Sequence, residues 1–271
     1  MKAIEENQRR KNTTFKPPGL PDFENGADTL GNLVAGVAHE LNTPLGNTRI
    51  VASLLSEQFR EFAAAFEAGK LRRSQMDGFL NRGREAVELL ERSSARAADL
   101  VGHFKQVAVD QSSARRRSFD LRRTVEEMLV TLRLMFKRTK HQIELDIPAG
   151  LEMDSYPGPL EQVITNLVAN SLTHGFVGIE QGCIELQAQA VGETQVVLRC
   201  VDNGAGIPTE TLHRLFEPFF TSRLGQGGSG LGLYIAYNLV TGVLGGTIEV
   251  ESSPGHGATF ILTLPRTAPD R

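Results

Sequence analysis

The sequence has little of what marks secreted, membrane-spanning or metal-clustered proteins. It contains two cysteines, Cys183 and Cys200, whose separation fits neither a metal motif nor a redox motif. We therefore expect two reduced, largely buried thiols in the cytoplasm. The charged start of the chain excludes a secretory signal, and no apolar run approaches the roughly 18 residues that span a bilayer. The net charge of −3 gives no electrostatic reason to expect binding to nucleic acid or to a membrane surface.

The apolar pattern divides the chain into a helical domain and a mixed domain. Residues 1–26 are polar and end in a proline-rich stretch, which predicts a flexible arm. Helical periodicity over 27–66 and 75–110, broken at 68–70, predicts an antiparallel hairpin spanning 27–111. A lone hairpin cannot bury both of its apolar stripes, so we expect a homodimeric four-helix bundle. Packing of the hairpin against its own C-terminal domain is the alternative.

After a polar, basic linker at 112–118, the periodicity changes. Residues 119–265 alternate between helical segments and short strands, and 266–271 form a tail. This order predicts a two-layer α/β sandwich. The fold class is thus multidomain, α followed by α/β. Helices are predicted at 121–139, at 159–174 and after Gly230, and strands at 143–147, 184–190, 196–200, 247–251 and 259–264.

The first candidate site lies in the first helix, where His39 stands beside Glu40. His39 lies off the apolar stripe, so packing does not explain it. An imidazole nitrogen can attack an electrophile if a neighbour accepts its proton, and Glu40 is that neighbour. A surface helix with an unrelated His and Glu is the alternative. A zinc-peptidase motif fails because Thr43 stands where a second histidine is needed. Pro44 predicts a kink nearby.

A second candidate site begins with a polar row in the mixed domain. Asn166, Asn170 and His174 recur every four residues and share one helix face. Carboxamide oxygens can face a hydrated Mg²⁺, and N–H groups can donate to phosphates. A solvated polar face is the alternative.

Two glycine-rich stretches follow. Asp202 ends a strand and precedes Gly204 and Gly206, where the backbone can pass close to a ligand. Its carboxylate can accept a hydrogen bond from the exocyclic amine of adenine; a plain Asp-Asn-Gly turn is the alternative. The second stretch, 225–233, opens into a helix and can turn backbone N–H groups onto phosphates. It is neither a Walker loop nor a convincing dinucleotide fingerprint.

The segment between the glycine stretches, 215–223, combines three phenylalanines, two hydroxyl residues and Arg223. This composition suits a lid that is apolar where it docks and cationic where it meets phosphate. A later glycine turn at 255–257 precedes a strand that carries Thr259 within reach of the base.

In this order, the motifs resemble those of the sensor histidine kinases of two-component signalling, over about residues 27–265. The matching stretches are Ala38–Leu45 (phospho-acceptor box), Asn166–His174 (N box), Asp202–Gly206 (first glycine box), Phe216–Phe220 (F box), Gly228–Gly232 (second glycine box) and Gly255–Thr259 (closing glycine turn). Two positions depart from the usual pattern: Asn42 stands where Arg is frequent, and His174 where Lys is common.

The resemblance implies a dimerisation and phosphotransfer hairpin followed by a Bergerat-type ATP-binding domain. It implies that His39 receives the γ-phosphate of ATP, that Glu40 accepts the proton, and that Thr43 positions water when a partner is dephosphorylated. The resemblance also implies that Asn170 ligates Mg²⁺ with help from Asn166, and that His174 and Arg223 approach the phosphates. It implies that Asp202 binds the adenine amine. The other residues implied to surround the nucleotide are Gly204, Gly206, Gly228, Gly230, Leu231, Gly232 and Thr259.

The implied function is an ATP-dependent protein-histidine kinase that autophosphorylates and passes the phosphoryl group to an aspartate of a response-regulator receiver domain. No sensor domain is recognisable, so the signal is expected from an unknown partner or from a region outside these residues. One alternative is a Bergerat-fold ATPase that works as a conformational switch; such ATPases carry a Glu base where this chain has Asn166. The other alternative is a non-catalytic scaffold derived from a kinase.

Overall fold

A computed structural model of the protein describes residues 13–17, 26–113, 115–137, 139–221 and 230–270, with side chains omitted at 26–35, 39, 99 and 103–113. The chain separates into two compact units. One is the helical unit, Phe23–Gln106. The other begins at Val107 and includes the N-terminal strand.

The helical unit is an antiparallel hairpin, as the periodicity predicted. Helix α1 spans Gly26–Glu67 and continues past Pro44, and helix α2 spans Arg73–Ser113. Gly69 ends α1 in the left-handed region (φ 62°), a conformation that glycine adopts without steric cost. Near this turn the Phe62 ring stacks on Phe79, with centroids 4.3 Å apart.

The hairpin leaves much of its apolar surface uncovered within one chain. Leu54 is 53% exposed on α1, and Leu80 and Val87 are 50% and 47% exposed on α2. The end near His39 is better covered, since Val37 and Leu100 are 5% and 0% exposed. Exposed apolar residues in a stripe indicate a surface that a partner covers.

The second unit contains a six-stranded sheet. Its strands are β1 (Thr13–Phe15), β3 (Gln142–Asp146), β5 (Cys183–Val191), β6 (Gln195–Asp202), β7 (Thr247–Ser252) and β8 (Ala258–Pro265). They lie in the order β1-β7-β8-β6-β5-β3, in which only the β3–β5 pair is parallel.

A layer of helices packs on this sheet. The helices are α3 (Leu121–Phe136), α4 (Pro157–Asn170, extended by a π-helical turn Ser171–Gly175), α5 (Thr209–Leu212) and α6 (Gly232–Asn238, extended by a π-helical turn Leu239–Val243). Helix α4 lies against α6. This is the α/β sandwich that the sequence predicted.

A small two-stranded sheet precedes α4 and was not predicted. Strand β2 (Arg117–Asp120) pairs antiparallel with β4 (Glu152–Ser155). The predicted linker 112–118 is therefore shorter, since α2 extends to Ser113 and β2 begins at Arg117. Asp120 then caps α3, because its Oδ1 accepts a hydrogen bond from the N–H of Arg123 at 2.8 Å. Its Oδ2 accepts from the N–H of Gly150, just before β4, also at 2.8 Å.

Two predictions about the chain ends are corrected by the structure. Within the predicted flexible arm 1–26, residues 13–15 form the edge strand β1, because the edge of β7 offers unpaired backbone groups. The predicted tail 266–271 is also attached. Arg266 and Ala268 exchange backbone hydrogen bonds of 2.7 and 2.9 Å with Asp154, and Ala268 is 1% exposed.

Candidate functional site

A cavity of about 180 Å³ opens between the end of α4, the end of β6 and the loops that follow β6. Both polar and apolar side chains line it. Its lining residues are Asn170, His174, Gly175, Asp202, Gly206, Ile207, Pro208, Thr211, Leu215, Phe220, Thr221, Leu233 and Ala258.

Asp202 is fixed at this cavity by donors from three different segments. Its Oδ1 accepts hydrogen bonds from the backbone N–H of Gly204 (2.9 Å) and of Ala258 (3.1 Å), and its Oδ2 accepts from the Ser171 hydroxyl (2.8 Å). The residue is 5% exposed. Burial raises the pKa of the Asp202 carboxyl, and the three hydrogen bonds oppose that rise. The result is a rigid acceptor with remaining lone pairs for a ligand amine.

Glycines let the loops approach Asp202 closely. A Cβ on Gly257 (φ 69°) would lie 1.9 Å from the Asp202 carbonyl oxygen. A Cβ on Gly204 would lie 2.6 Å from the Gly175 carbonyl oxygen. Both distances are below any real contact, so the loops around the carboxylate require glycine at these positions.

The polar row divides between the cavity and the helix interface. Asn170 and His174 line the cavity, and the π-helical turn carries His174. Asn166 is 7% exposed and is not among the lining residues. Its Oδ1 accepts from Gln162 at 3.2 Å, whereas its buried Nδ2 has no hydrogen-bond partner within the described residues. A buried amide donor without a partner is rare.

The described end of the second glycine stretch, Gly230–Gly232, passes close to the Asn166 amide. A Cβ on Gly232, the first residue of α6, would lie 3.9 Å from the Asn166 side chain. Leu231 is fully buried, and Gly230 (φ 68°) passes so close to Phe219 that a Cβ would lie 2.4 Å from its carbonyl carbon. Gly228 and Arg223 lie outside the described residues, so their predicted contacts stay predictions.

The phenylalanine segment is partly core and partly cavity wall. Phe216 is 6% exposed and its ring lies 5.6 Å from Tyr237. Phe220 lines the cavity, with the Arg214 guanidinium 4.6 Å from its ring centroid. This agrees with a segment whose apolar residues dock against the domain.

Thr259 is not among the residues that line the cavity, so its predicted contact with the base stays a prediction. It pairs with Val201 and Glu251 in the sheet, and the cavity is lined by the preceding Ala258. Neighbouring residues of a strand face opposite sides, so a shift of one residue exchanges wall and non-wall positions. Sequence reasoning also missed Ser171, although it directly follows Asn170.

In the hairpin, α1 carries His39, whose side chain lies outside the described part. Glu40 Oε2 accepts a hydrogen bond from Nη2 of Arg96 on α2 at 2.9 Å, in an ion pair with side chains 20% and 22% exposed. The buried Nε of Arg96 has no partner among the described residues. Thr43 is exposed one turn beyond His39.

Residues 156–268 match the family of histidine kinase-, DNA gyrase B- and HSP90-like ATPases. The second unit is therefore an ATP-binding domain of this class. No helix in the described ranges is both long and apolar enough to cross a membrane.

Relatives extend the match into the hairpin. The C4-dicarboxylate transport sensor protein DctB of Rhizobium meliloti (strain 1021) is 34% identical over 88% of this chain and 35% of its own length. The sensor histidine kinase ZraS of Escherichia coli (strain K12) is 30% identical over 87% of this chain and 45% of its own length. The chain thus spans less than half of the curated relatives it matches. It is a homologue of the sensor histidine kinases, which confirms the resemblance found in the motifs.

Solved structures agree on the fold. The histidine kinase ThkA, solved in complex with the response regulator protein TrrA, covers 100% of this chain and 67% of its own with a TM-score of 0.63 and 20% identity. The histidine kinase AdeS of Acinetobacter baumannii covers 84% of this chain and 98% of its own with a TM-score of 0.51 and 21% identity.

Proposed function

We propose that this chain is an ATP-dependent protein-histidine kinase that phosphorylates His39 and transfers the phosphoryl group to an aspartate of a response-regulator receiver domain. The observation that carries the proposal is Asp202, a buried carboxylate held by three donors at a cavity of nucleotide-site type. Its homology to sensor histidine kinases supports the same function.

The adenine lies at the Asp202 end of the cavity, where the carboxylate accepts a hydrogen bond from the exocyclic amine. The phosphates extend toward the second glycine stretch, which passes the Asn166 side chain at Gly232. Gly230, Leu231 and Gly232 provide backbone at the start of α6, and His174 contributes a donor from the opposite wall.

Mg²⁺ fits the donors of this site. The described residues contain no cluster of three His, Cys, Asp or Glu side chains, and a nucleotide Mg²⁺ takes most of its oxygens from phosphates and water. Asn170 is the residue that would hold it, through its carboxamide oxygen. When bound, the ion neutralises negative charge on the phosphates.

In the transfer step, an imidazole nitrogen of His39 forms a bond to the γ-phosphorus while the bond to the ADP oxygen breaks. Glu40 accepts the imidazole proton. Its carboxylate is paired with Arg96 in this structure, so the pair must open or share the carboxylate during transfer. Catalysis then depends mainly on positioning and charge neutralisation.

The exposed apolar stripe of the hairpin supports homodimerisation through a four-helix bundle. A receiver domain as partner is supported by the complex of ThkA with a response regulator protein. Thr43, exposed one turn after His39, is proposed to position water for removal of phosphate from that partner. No contact among the described residues favours the switch ATPase or scaffold alternatives.

Incubation with γ-labelled ATP tests the function. We expect acid-labile label on the wild-type protein, none on His39→Gln, and transfer of the label to a cognate receiver domain. Label that persists on His39→Gln would overturn the assignment of the acceptor. Steady ATP turnover without any phosphoprotein would instead support the switch ATPase.

A further inference from the structure

The N-terminal strand β1 occupies the free edge of the central sheet. It pairs antiparallel with β7 through Thr13 with Ser252, Thr14 with Glu251 and Phe15 with Val250. The next residue, Lys16, forms an ion pair with Glu249 at 3.0 Å. Backbone pairing and this ion pair therefore both hold the segment against β7.

The far end of this pairing is connected to the nucleotide cavity. Ser252, the partner of Thr13, is fully buried, and its hydroxyl donates to the Gly257 carbonyl oxygen at 2.6 Å. The same hydroxyl accepts from the N–H of Ile207 at 2.9 Å. Ile207 lines the cavity, so one side chain of β7 holds a cavity residue.

A second connection leads from β7 to the adenine acceptor. Ser252 is the β7 partner of Ala258, and the Ala258 N–H donates to Asp202. Gly257 is packed directly against the Asp202 backbone, since a Cβ carbon added to it would lie only 1.9 Å from the Asp202 carbonyl oxygen. The strand that receives β1 is therefore two contacts away from the proposed base contact.

Docking of β1 is weak enough to be reversible. The strand has three residues, of which Thr13 and Thr14 are exposed. The Lys16 side chain is 66% exposed, and exposed ion pairs contribute little to stability. Short, solvent-exposed edge strands open at low free-energy cost.

We propose that the β7 edge is a regulatory docking site for the chain's own residues 13–16, and that docking of this strand tightens adenine-nucleotide binding. The inference rests on the nucleotide binding proposed above. Residues 17–25 lead from the docked segment into α1, the helix that carries His39. A change imposed on residues 13–16 therefore reaches the nucleotide cavity through β7. Because coupling between two sites is reciprocal, nucleotide must also strengthen the docking of β1.

The test compares two substitutions at one exposed position in the full chain. Thr14→Pro removes a backbone donor and obstructs pairing, whereas Thr14→Val keeps a β-branched residue that favours the strand. We expect Thr14→Pro to weaken ADP binding about five- to tenfold, the low end of typical coupling. Thr14→Val should stay within about twofold of the wild type. Calorimetry with ADP and Mg²⁺ measures both affinities.

Hydrogen exchange measures docking itself. ADP should increase protection of the amides of residues 13–15 and of β7 in the wild type, and this increase should be absent in Thr14→Pro. A charge exchange gives an independent variant: Lys16→Glu and Glu249→Lys should each reduce ADP affinity, and the double variant should recover most of the loss.

The outcomes separate this inference from the proposed function. A wild type that binds ADP and a folded Thr14→Pro that binds it equally well overturn the docking inference alone. Absence of ADP binding in the wild type overturns the proposed function and the inference with it. Reduced affinity in Thr14→Pro together with loss of ADP-dependent protection supports both.

Discussion

The hairpin and the ATP-binding domain differ in how completely they bury their apolar side chains within one chain. The ATP-binding domain closes its core within one chain, with Leu160, Val163 and Phe260 at most 1% exposed. The hairpin leaves residues such as Leu80 about half exposed. The ATP-binding domain is complete by itself, whereas the hairpin exposes an apolar surface that we propose a second copy covers, so substitutions in the two regions should have different effects.

The largest expected effect is on assembly of the hairpin. Leu80→Glu would place an unpaired charge in the proposed dimer interface, which costs about 3–5 kcal/mol. We expect the dimer dissociation constant to rise at least about a hundredfold, with unchanged ADP affinity. Analytical ultracentrifugation measures the dimer, and the control is Glu85→Lys, a charge reversal at an exposed position that lies about 140° around the helix from Leu80. A Leu80→Glu protein that stays dimeric would contradict the comparison.

A glycine in the ATP-binding domain should give the next largest effect, on folding. Gly257→Ala meets both a positive φ and the Asp202 carbonyl oxygen, and we expect a loss of about 3 kcal/mol in the free energy of unfolding. Gly150 has φ 76°, and a Cβ carbon added to it would have no atom within 4 Å, so Gly150→Ala should lose only about 1 kcal/mol. Urea unfolding measures both. Equal losses would show that the close approach is not a constraint.

The proposed adenine contact comes third. Asp202→Asn replaces a carboxylate oxygen with an amide group that faces donors, and we expect ADP affinity to fall by about 2 kcal/mol, roughly thirtyfold. The dimer should be unchanged. Calorimetry measures the affinity, with Asp146→Asn, an exposed residue at the end of β3, as the control. Unchanged affinity in Asp202→Asn would remove this residue from the site.

A smaller effect is expected when the Glu40–Arg96 ion pair of the hairpin is removed. Arg96→Gln should release the Glu40 carboxylate and increase the initial rate of His39 labelling about two- to fivefold, the range expected for a partly exposed pair. Arg92, one turn earlier, bonds the Glu88 carbonyl within α2, so Arg92→Gln is the matched control. If Arg96→Gln slows labelling as Glu40→Gln does, Arg96 instead holds Glu40 in its working position.

The smallest effect is a pH dependence of base selection. The pKa of Asp202 is raised, so its carboxylate gains a proton at a higher pH than that of an ordinary Asp, whose pKa is about 3.9. The preference for ADP over inosine diphosphate, which lacks the amine, should therefore shrink as the pH falls from 8 to 5. Comparing the two ligands cancels titration of their phosphates. A preference that is constant over this range would contradict the direction of the shift.

Residues with strong periodic signals were predicted well. The alternation of Val196, Leu198 and Cys200 identified β6, and the spacing of Asn170 and His174 brought both to the cavity. Strands β1, β2 and β4 were missed because three or four residues carry no readable period. Their pairing depends on which sheet edges the fold leaves open.

Contacts across large sequence separations were also beyond prediction. The Glu40–Arg96 pair depends on the register of two long helices, which a stripe pattern does not specify to one residue. Ala258 has no functional group to signal a cavity position, and only the strand register distinguishes it from Thr259. The chemistry of the acceptors was predictable from residue type, whereas their partners were not.

Strand β4 joins the beginning and the end of the ATP-binding domain. Arg116, just before β2, pairs with Asp154 at 2.7 Å and also with Asp270, and Asp154 holds Arg266 and Ala268 through its backbone. Arg116 and residues 266–270 therefore meet at one place on the surface of the domain. Chain segments that lie this close together allow a domain to be inserted or transferred as a cassette, because one attachment point can serve both.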